Sequence, residues 1–146
     1  MAFDRQGNGF VVLRICLGVF FIVQAIAKLG WFMDGSILSG QFDLWLQNAA
    51  RGSISQAYLQ RIAIPGVAIF ARLVPLGEFV CGAALLVGFW TPVFAFIAFL
   101  MVLNYQIASG AILQLSYLAN RSGLPVLAAT LALAIGGVRL PWSIRS

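Results

Sequence analysis

Ionisable side chains inside apolar sequence are the residues of this chain best suited to chemistry. Glu78 and Lys28 each lie in or beside a long apolar run, where a carboxylate and an ammonium can pair, relay a proton or bind a polar head group. The chain has no histidine, and its two cysteines, Cys16 and Cys81, lie far apart in apolar runs. Haem or zinc ligated by histidine and nucleophile pairs that need histidine are therefore excluded. We predict no metal site and no covalently bound cofactor.

Further polar residues fall near these two charges when the apolar runs are placed across a membrane as helices. At a helical rise of about 1.5 Å per residue, Gln24, Glu78 and Asn104 fall in one layer that three different runs contribute. Lys28 lies one helical turn beyond Gln24, so its flexible side chain can reach towards Glu78. The predicted intramembrane polar layer consists of Gln24, Lys28, Glu78, Asn104 and Tyr105.

Two interpretations of this polar layer stay open, and neither assigns a catalytic residue. In the first, Lys28 and Glu78 form an ion pair that holds the helices together, and the other members make interhelical hydrogen bonds. In the second, the layer binds a polar head group such as a quinone carbonyl, or relays a proton. Arg14 and Arg72 lie nearer the ends of their runs, so we expect both to be anchors at lipid headgroup level.

The elements that must position these residues are transmembrane helices. Of the 146 residues, 62% are hydrophobic and only 9% are charged, which excludes an ordinary soluble globule and a disordered tail. The net charge of +5 comes from scattered basic residues without a basic stripe, so nucleic acid is not an expected partner. Long apolar runs predict an all-helical bundle in the lipid bilayer, with four spans at about 10–32, 67–90, 91–108 and 124–140.

The connections between the spans differ in length and character. The polar stretch between the first two spans predicts two short amphipathic helices on the membrane surface. Ser53 and Gln56 have the spacing of a capping box at the start of the second one. A smaller surface segment is predicted over 111–119. The turn at 88–92 is so short that the second and third spans must form an antiparallel hairpin.

The first two spans together carry a recognisable pattern. Residues 13–18 read LRICLG and are followed by Lys28 at the end of the span, and the second span has Gly77-Glu78 before a Gly-containing apolar run. This pattern resembles the DoxX family of small membrane proteins, which includes the small subunit of a thiosulfate:quinone oxidoreductase. Many relatives close with an acidic residue, whereas residues 136–142 of this chain contain none.

The resemblance implies a single four-helix membrane domain over residues 1–146, in a bacterial-type inner membrane with both termini in the cytoplasm. It also implies an accessory subunit of a larger redox complex, with other membrane proteins as partners and quinone as the candidate ligand. It supplies no active site, so we do not expect an enzyme that acts alone. Two alternatives stay open: a purely structural membrane subunit, and a small-solute carrier built around Glu78.

Overall fold

The computed structural model describes residues 5–114 and 123–144, and seven α-helices order this part of the chain. The long helices α1 (Arg5–Ala27), α5 (Val67–Val87) and α6 (Thr91–Ala108) are each apolar enough to cross a membrane, whereas α7 (Leu124–Gly136) is apolar but has only 13 residues. The chain is thus a multi-pass membrane protein that sits in a lipid bilayer. Three shorter helices lie between α1 and α5: α2 (Leu29–Met33), α3 (Gly35–Asn48) and α4 (Ile54–Tyr58).

The predicted bounds hold for the third span and change at the ends of the others. The first predicted span is interrupted at Lys28, whose φ of −101° and ψ of 6° leave the helical region between α1 and α2. The second ends at Val87 because Gly88 adopts a left-handed conformation with φ of 72°. The fourth ends at Gly136 rather than at residue 140, since the following Gly137 also favours a helix end.

Helices α1 and α5 form the most extensive helix pair of the described residues. Their backbones approach closely where glycine faces glycine, because a Cβ built on Gly82 would lie only 2.9 Å from the carbonyl oxygen of Gly18. Small residues at a crossing let membrane helices pack in this way. The close crossing brings the C-terminal end of α1 within side-chain reach of the middle of α5.

Helix α7 runs antiparallel to α6 along most of its length. Near the start of α7, the side-chain amide of Gln106 donates to the carbonyl oxygen of Gly123 over 3.2 Å. At the other end, a Cβ built on Gly137 would lie 3.1 Å from Cγ2 of Thr91, the first residue of α6. Although short, α7 therefore extends from the level of residue 106 to the level of residue 91.

The surface helices α3 and α4 begin with side-chain caps. Asp34 accepts a hydrogen bond from the backbone N–H of Ser36. Hydrogen bonding by the side chain of Ser36, and then by its backbone N–H, lowers the pKa of the Asp34 carboxyl group. Ser53 accepts from the N–H of Gln56 over 3.1 Å, as the capping box predicts. The side chain of Gln56 instead accepts from the N–H of Gly52, which lies one residue earlier than the pattern predicts.

Helices α3 and α4 pack against the bundle through a second apolar cluster, separate from the core between the long helices. A π-helical turn over Leu59–Ala63 continues α4 and contributes two buried residues to this cluster. Of the surface segment predicted over 111–119, Ala111–Leu113 forms one short helical turn, and residues 115–119 lie outside the described residues. The buried members of the cluster are Leu38, Phe42, Leu59, Ala63, Ala71 and Ala108.

Candidate functional site

A cavity of about 490 Å³ lies between the long helices and the surface helices that cover them. Its volume falls in the range of roughly 300–1,000 Å³ that small-molecule sites occupy. Every member of the predicted polar layer lines this cavity, and the rest of the wall is mostly apolar. Aromatic rings make up much of that apolar wall: Phe20, Phe21, Trp31, Phe42, Trp45 and Phe70.

The ion pair predicted between Lys28 and Glu78 is present in the cavity wall. Nζ of Lys28 lies 2.5 Å from Oε1 of Glu78, and the two side chains are only 12% and 11% exposed. The same ammonium donates a second hydrogen bond to Oε1 of Gln24 over 3.2 Å. It also lies 5.7 Å from the ring centroid of Trp31, within the range of a cation–π contact. Lys28 is thus held by three side chains.

The Lys28–Glu78 pair leaves hydrogen-bonding capacity unused. Oε2 of Glu78 is buried and has no hydrogen-bond partner among the described residues. A lysine ammonium has three N–H groups, of which Glu78 and Gln24 occupy two. Buried polar atoms are rarely left without a partner, because desolvation without a hydrogen bond is costly. The pair in the cavity wall therefore retains one acceptor atom and one N–H group whose hydrogen-bonding capacity is unused.

Helix α4 adds a residue that the sequence did not indicate. The hydroxyl of Tyr58 donates to Oδ1 of Asn104 and so joins the surface helix to α6 across the cavity wall. Burial raises the pKa of Tyr58, which keeps its hydroxyl protonated. An amphipathic pattern shows that α4 has an apolar face but does not show which helix that face meets, so this contact could not be read from the sequence.

The cavity opens between α5 and α6 on the outer surface of the bundle. Leu73, Ile97 and Leu100 line the cavity and are also exposed, by 56%, 40% and 47% respectively. Tyr105 lies at the same opening, 47% exposed, with its ring edge-on to Trp45 at 5.1 Å between centroids. Since the exposed sides of α5 and α6 are apolar, this opening faces the region that a bilayer would cover.

The two arginines of the predicted headgroup level behave differently. Arg72 is exposed on α5, donates to the carbonyl oxygen of Ala68 and does not line the cavity. The prediction for Arg14 as a lipid anchor is wrong, because only 2% of this residue is exposed. Its guanidinium donates to Oγ of Ser143 over 2.8 Å and to the carbonyl oxygen of Trp142 over 3.0 Å.

Room for the Arg14 guanidinium comes from a glycine in the turn between α5 and α6. A Cβ on Gly88 would overlap Nη1 of Arg14, so only a residue without a side chain fits there. The backbone N–H of Ile144 donates to the carbonyl oxygen of Val87 over 3.3 Å, which brings the C-terminal segment against the same turn. Arg14 therefore fastens this segment to the bundle instead of reaching a headgroup.

Comparison with known proteins adds one family match. A protein-family model described as DoxX matches residues 9–111, which is well over half of the chain. The matched stretch contains all of the predicted polar layer and both surface helices. Searches of curated proteins and of solved structures gave no match.

Proposed function

Because the chain belongs to the DoxX family, we propose that it is an accessory membrane subunit of a redox complex and that its cavity binds a quinone head group. The observation that carries this proposal is the position of the Lys28–Glu78 pair. The pair lies in the wall of an apolar cavity that opens towards the lipid-facing side of the bundle. A hydrophobic ligand with a small polar head group matches that distribution of apolar and polar wall.

The residues of the cavity fit a quinone. Its ring has two flat faces that aromatic side chains can cover, and its carbonyl oxygens accept hydrogen bonds. The remaining N–H of Lys28 and the hydroxyl of Tyr105 are donors suited to those oxygens. When bound, a quinone supplies two-electron, two-proton redox chemistry, while the side chains of this chain bind and orient its head group and exclude water from it.

Partner subunits follow from the same proposal. A bound quinone exchanges electrons with another redox group, and we place that group on a neighbouring membrane protein. Cross-linking in native membranes followed by identification of the attached proteins tests this part. Reproducible attachment to subunits of an oxidoreductase supports it, and attachment of only unrelated abundant proteins would contradict it.

We also propose four membrane crossings with both termini in the cytoplasm of a bacterial-type inner membrane. Support comes from α7, which spans nearly the same height as α6 although it has fewer residues. The contact of Arg14 with Ser143 adds support, because it joins the N-terminal half of α1 to the C-terminal segment. Labelling of single cysteines introduced near each terminus and in the 49–53 loop, in a variant without native cysteines, would report which side each occupies.

Binding of a short-chain ubiquinone analogue to the purified full chain tests the proposed ligand. Trp31 and Trp45 line the cavity, so a bound quinone should quench tryptophan fluorescence saturably. We expect Lys28→Met to weaken binding about tenfold, the effect of losing one hydrogen bond from a charged donor. Arg72→Met is the matched control, because Arg72 lies outside the cavity. Equal binding to both variants and the unaltered chain would refute a quinone site beside Lys28.

A further inference from the structure

The hydrogen-bonding state of the Lys28–Glu78 pair indicates which kind of head group the cavity prefers. Oε2 of Glu78 is a buried acceptor with no partner among the described residues, and the residue as a whole is 8% exposed. Most of the donor capacity of Lys28 is already taken by Glu78 and Gln24. The strongest unmet requirement in the cavity wall is therefore for a donor, not for an acceptor.

We propose that the cavity selects a lipid-soluble ligand whose head group carries a hydroxyl that donates to Glu78 Oε2, so that a hydroquinone binds more tightly than the corresponding quinone. This inference rests on the proposed function and deepens it by naming the preferred redox form. A quinone presents only acceptors to the carboxylate and leaves Oε2 without a hydrogen bond. A hydroquinone satisfies Oε2 through one hydroxyl, and the oxygen of that same group can accept from Lys28.

The cavity wall supports this selection in two further ways. The carboxylate is fixed, because its other oxygen lies 2.5 Å from Nζ of Lys28 and the close crossing of α1 and α5 holds the two helices together. The surrounding wall is mostly apolar, so a ligand hydroxyl competes with little water for Oε2. Hydrogen bonds to ionised groups are among the strongest hydrogen bonds that a neutral ligand can make. One such bond corresponds to about a tenfold change in affinity or more.

A redox preference of this size changes the bound couple measurably. When the reduced form binds more tightly, binding raises the midpoint potential of the couple. A tenfold preference corresponds to a rise of about 30 mV for a two-electron couple. The cavity would then hold the reduced form at potentials where the free pool is still partly oxidised.

The test compares both redox forms of one short-chain ubiquinone analogue, bound anaerobically to the full chain in nanodiscs. We expect the dissociation constant of the hydroquinone to be at least tenfold lower than that of the quinone. In Glu78→Gln the side-chain amide offers a donor as well as an acceptor, so this ratio should fall to about twofold. Arg72→Gln should keep the full ratio, because its side chain lies outside the cavity.

A second comparison needs no variant and therefore does not depend on the folding of Glu78→Gln. The monomethyl ether of a short-chain hydroquinone keeps one hydroxyl, whereas the dimethyl ether keeps none. We expect the monomethyl ether to bind at least tenfold more tightly. Equal binding of both ethers, or of both redox forms, would overturn the selection of a donor while leaving the quinone site in place. Absence of binding by any of these ligands would overturn the proposed function itself.

Discussion

Two largely buried cations lie near opposite ends of α1, Arg14 within the helix and Lys28 one residue beyond its last residue, and the protein accommodates them in opposite ways. Arg14, near the α5–α6 turn, is enclosed by the C-terminal segment and held by the neutral oxygens of Trp142 and Ser143. Lys28, just beyond the C-terminal end of α1, pairs with the carboxylate of Glu78 in the wall of a cavity. One cation is enclosed by protein, and the other faces space that a ligand can enter.

The two sites differ in whether space for a ligand lies beside them. Nε of Arg14 and Oε2 of Glu78 are both buried without a partner among the described residues. Arg14 does not line the cavity, so no ligand reaches its unused atom and the residue serves to join chain segments. Glu78 does line the cavity, so its carboxylate lies beside space that a head group can enter. Access, and not burial or charge alone, separates a fastening residue from a binding residue here.

The largest expected effect comes from breaking the Lys28–Glu78 pair on one side only. Glu78→Leu leaves the ammonium of Lys28 buried without its counter-ion, which should lower the free energy of unfolding by about 3–5 kcal/mol. The double variant Lys28→Met/Glu78→Leu removes both charges and should recover most of this loss. Unfolding in mixed detergent micelles measures both values. A double variant as unstable as the single one would contradict this explanation, because the loss of stability would then not come from the unpaired ammonium.

The next largest effect is expected at the enclosed cation. Arg14→Leu removes both hydrogen bonds to the C-terminal segment and should cost roughly 2–4 kcal/mol of unfolding free energy. Limited proteolysis should then cut this segment sooner. Binding of the quinone analogue per folded molecule should stay unchanged, and a tenfold loss of affinity would mean that the two ends of α1 are not independent. Arg72→Leu is the control, because that arginine is exposed.

A smaller effect is expected where α4 closes the cavity. Tyr58→Phe leaves Oδ1 of Asn104 without its donor, which should cost about 1–2 kcal/mol. Burial raises the pKa of Tyr58, so its contribution is complete below the unfolded value of about 10 and is lost as the pH rises through the folded value. Stability of the unaltered chain should fall in that alkaline range more than stability of Tyr58→Phe. Identical alkaline profiles would contradict this role of Tyr58.

The smallest effect is expected when only one of the two hydrogen bonds from Arg14 to the C-terminal segment is removed. Ser143→Ala removes one hydrogen bond while the carbonyl oxygen of Trp142 still accepts from the guanidinium, so the cost should be about 1 kcal/mol. Thermal unfolding in detergent compares this variant with Arg14→Leu. If Ser143→Ala were as damaging as Arg14→Leu, the carbonyl contact would carry none of the stability.

The sequence predicts one of these two ends much better than the other. The sequence predicts the ion pair of Lys28 and Glu78, because both residues interrupt apolar runs and the helical rise places them at similar depth. The partners of Arg14 lie more than a hundred residues away in a segment without a regular pattern, so nothing local indicates them. The sequence does not predict the contact of Tyr58 with Asn104 for a related reason, since docking of a surface helix depends on tertiary packing that an amphipathic pattern does not specify.

Photoaffinity labelling with a short-chain azidoquinone, followed by peptide mapping, tests most directly whether the cavity beside Lys28 and Glu78 is the ligand site. We expect the label to attach mainly to the cavity-lining parts of α5 and α6, at residues 70–78 and 97–105, and excess unlabelled hydroquinone to compete better than excess quinone. Label concentrated around Arg14 and the C-terminal segment, or spread evenly over the lipid-facing surface, would contradict it.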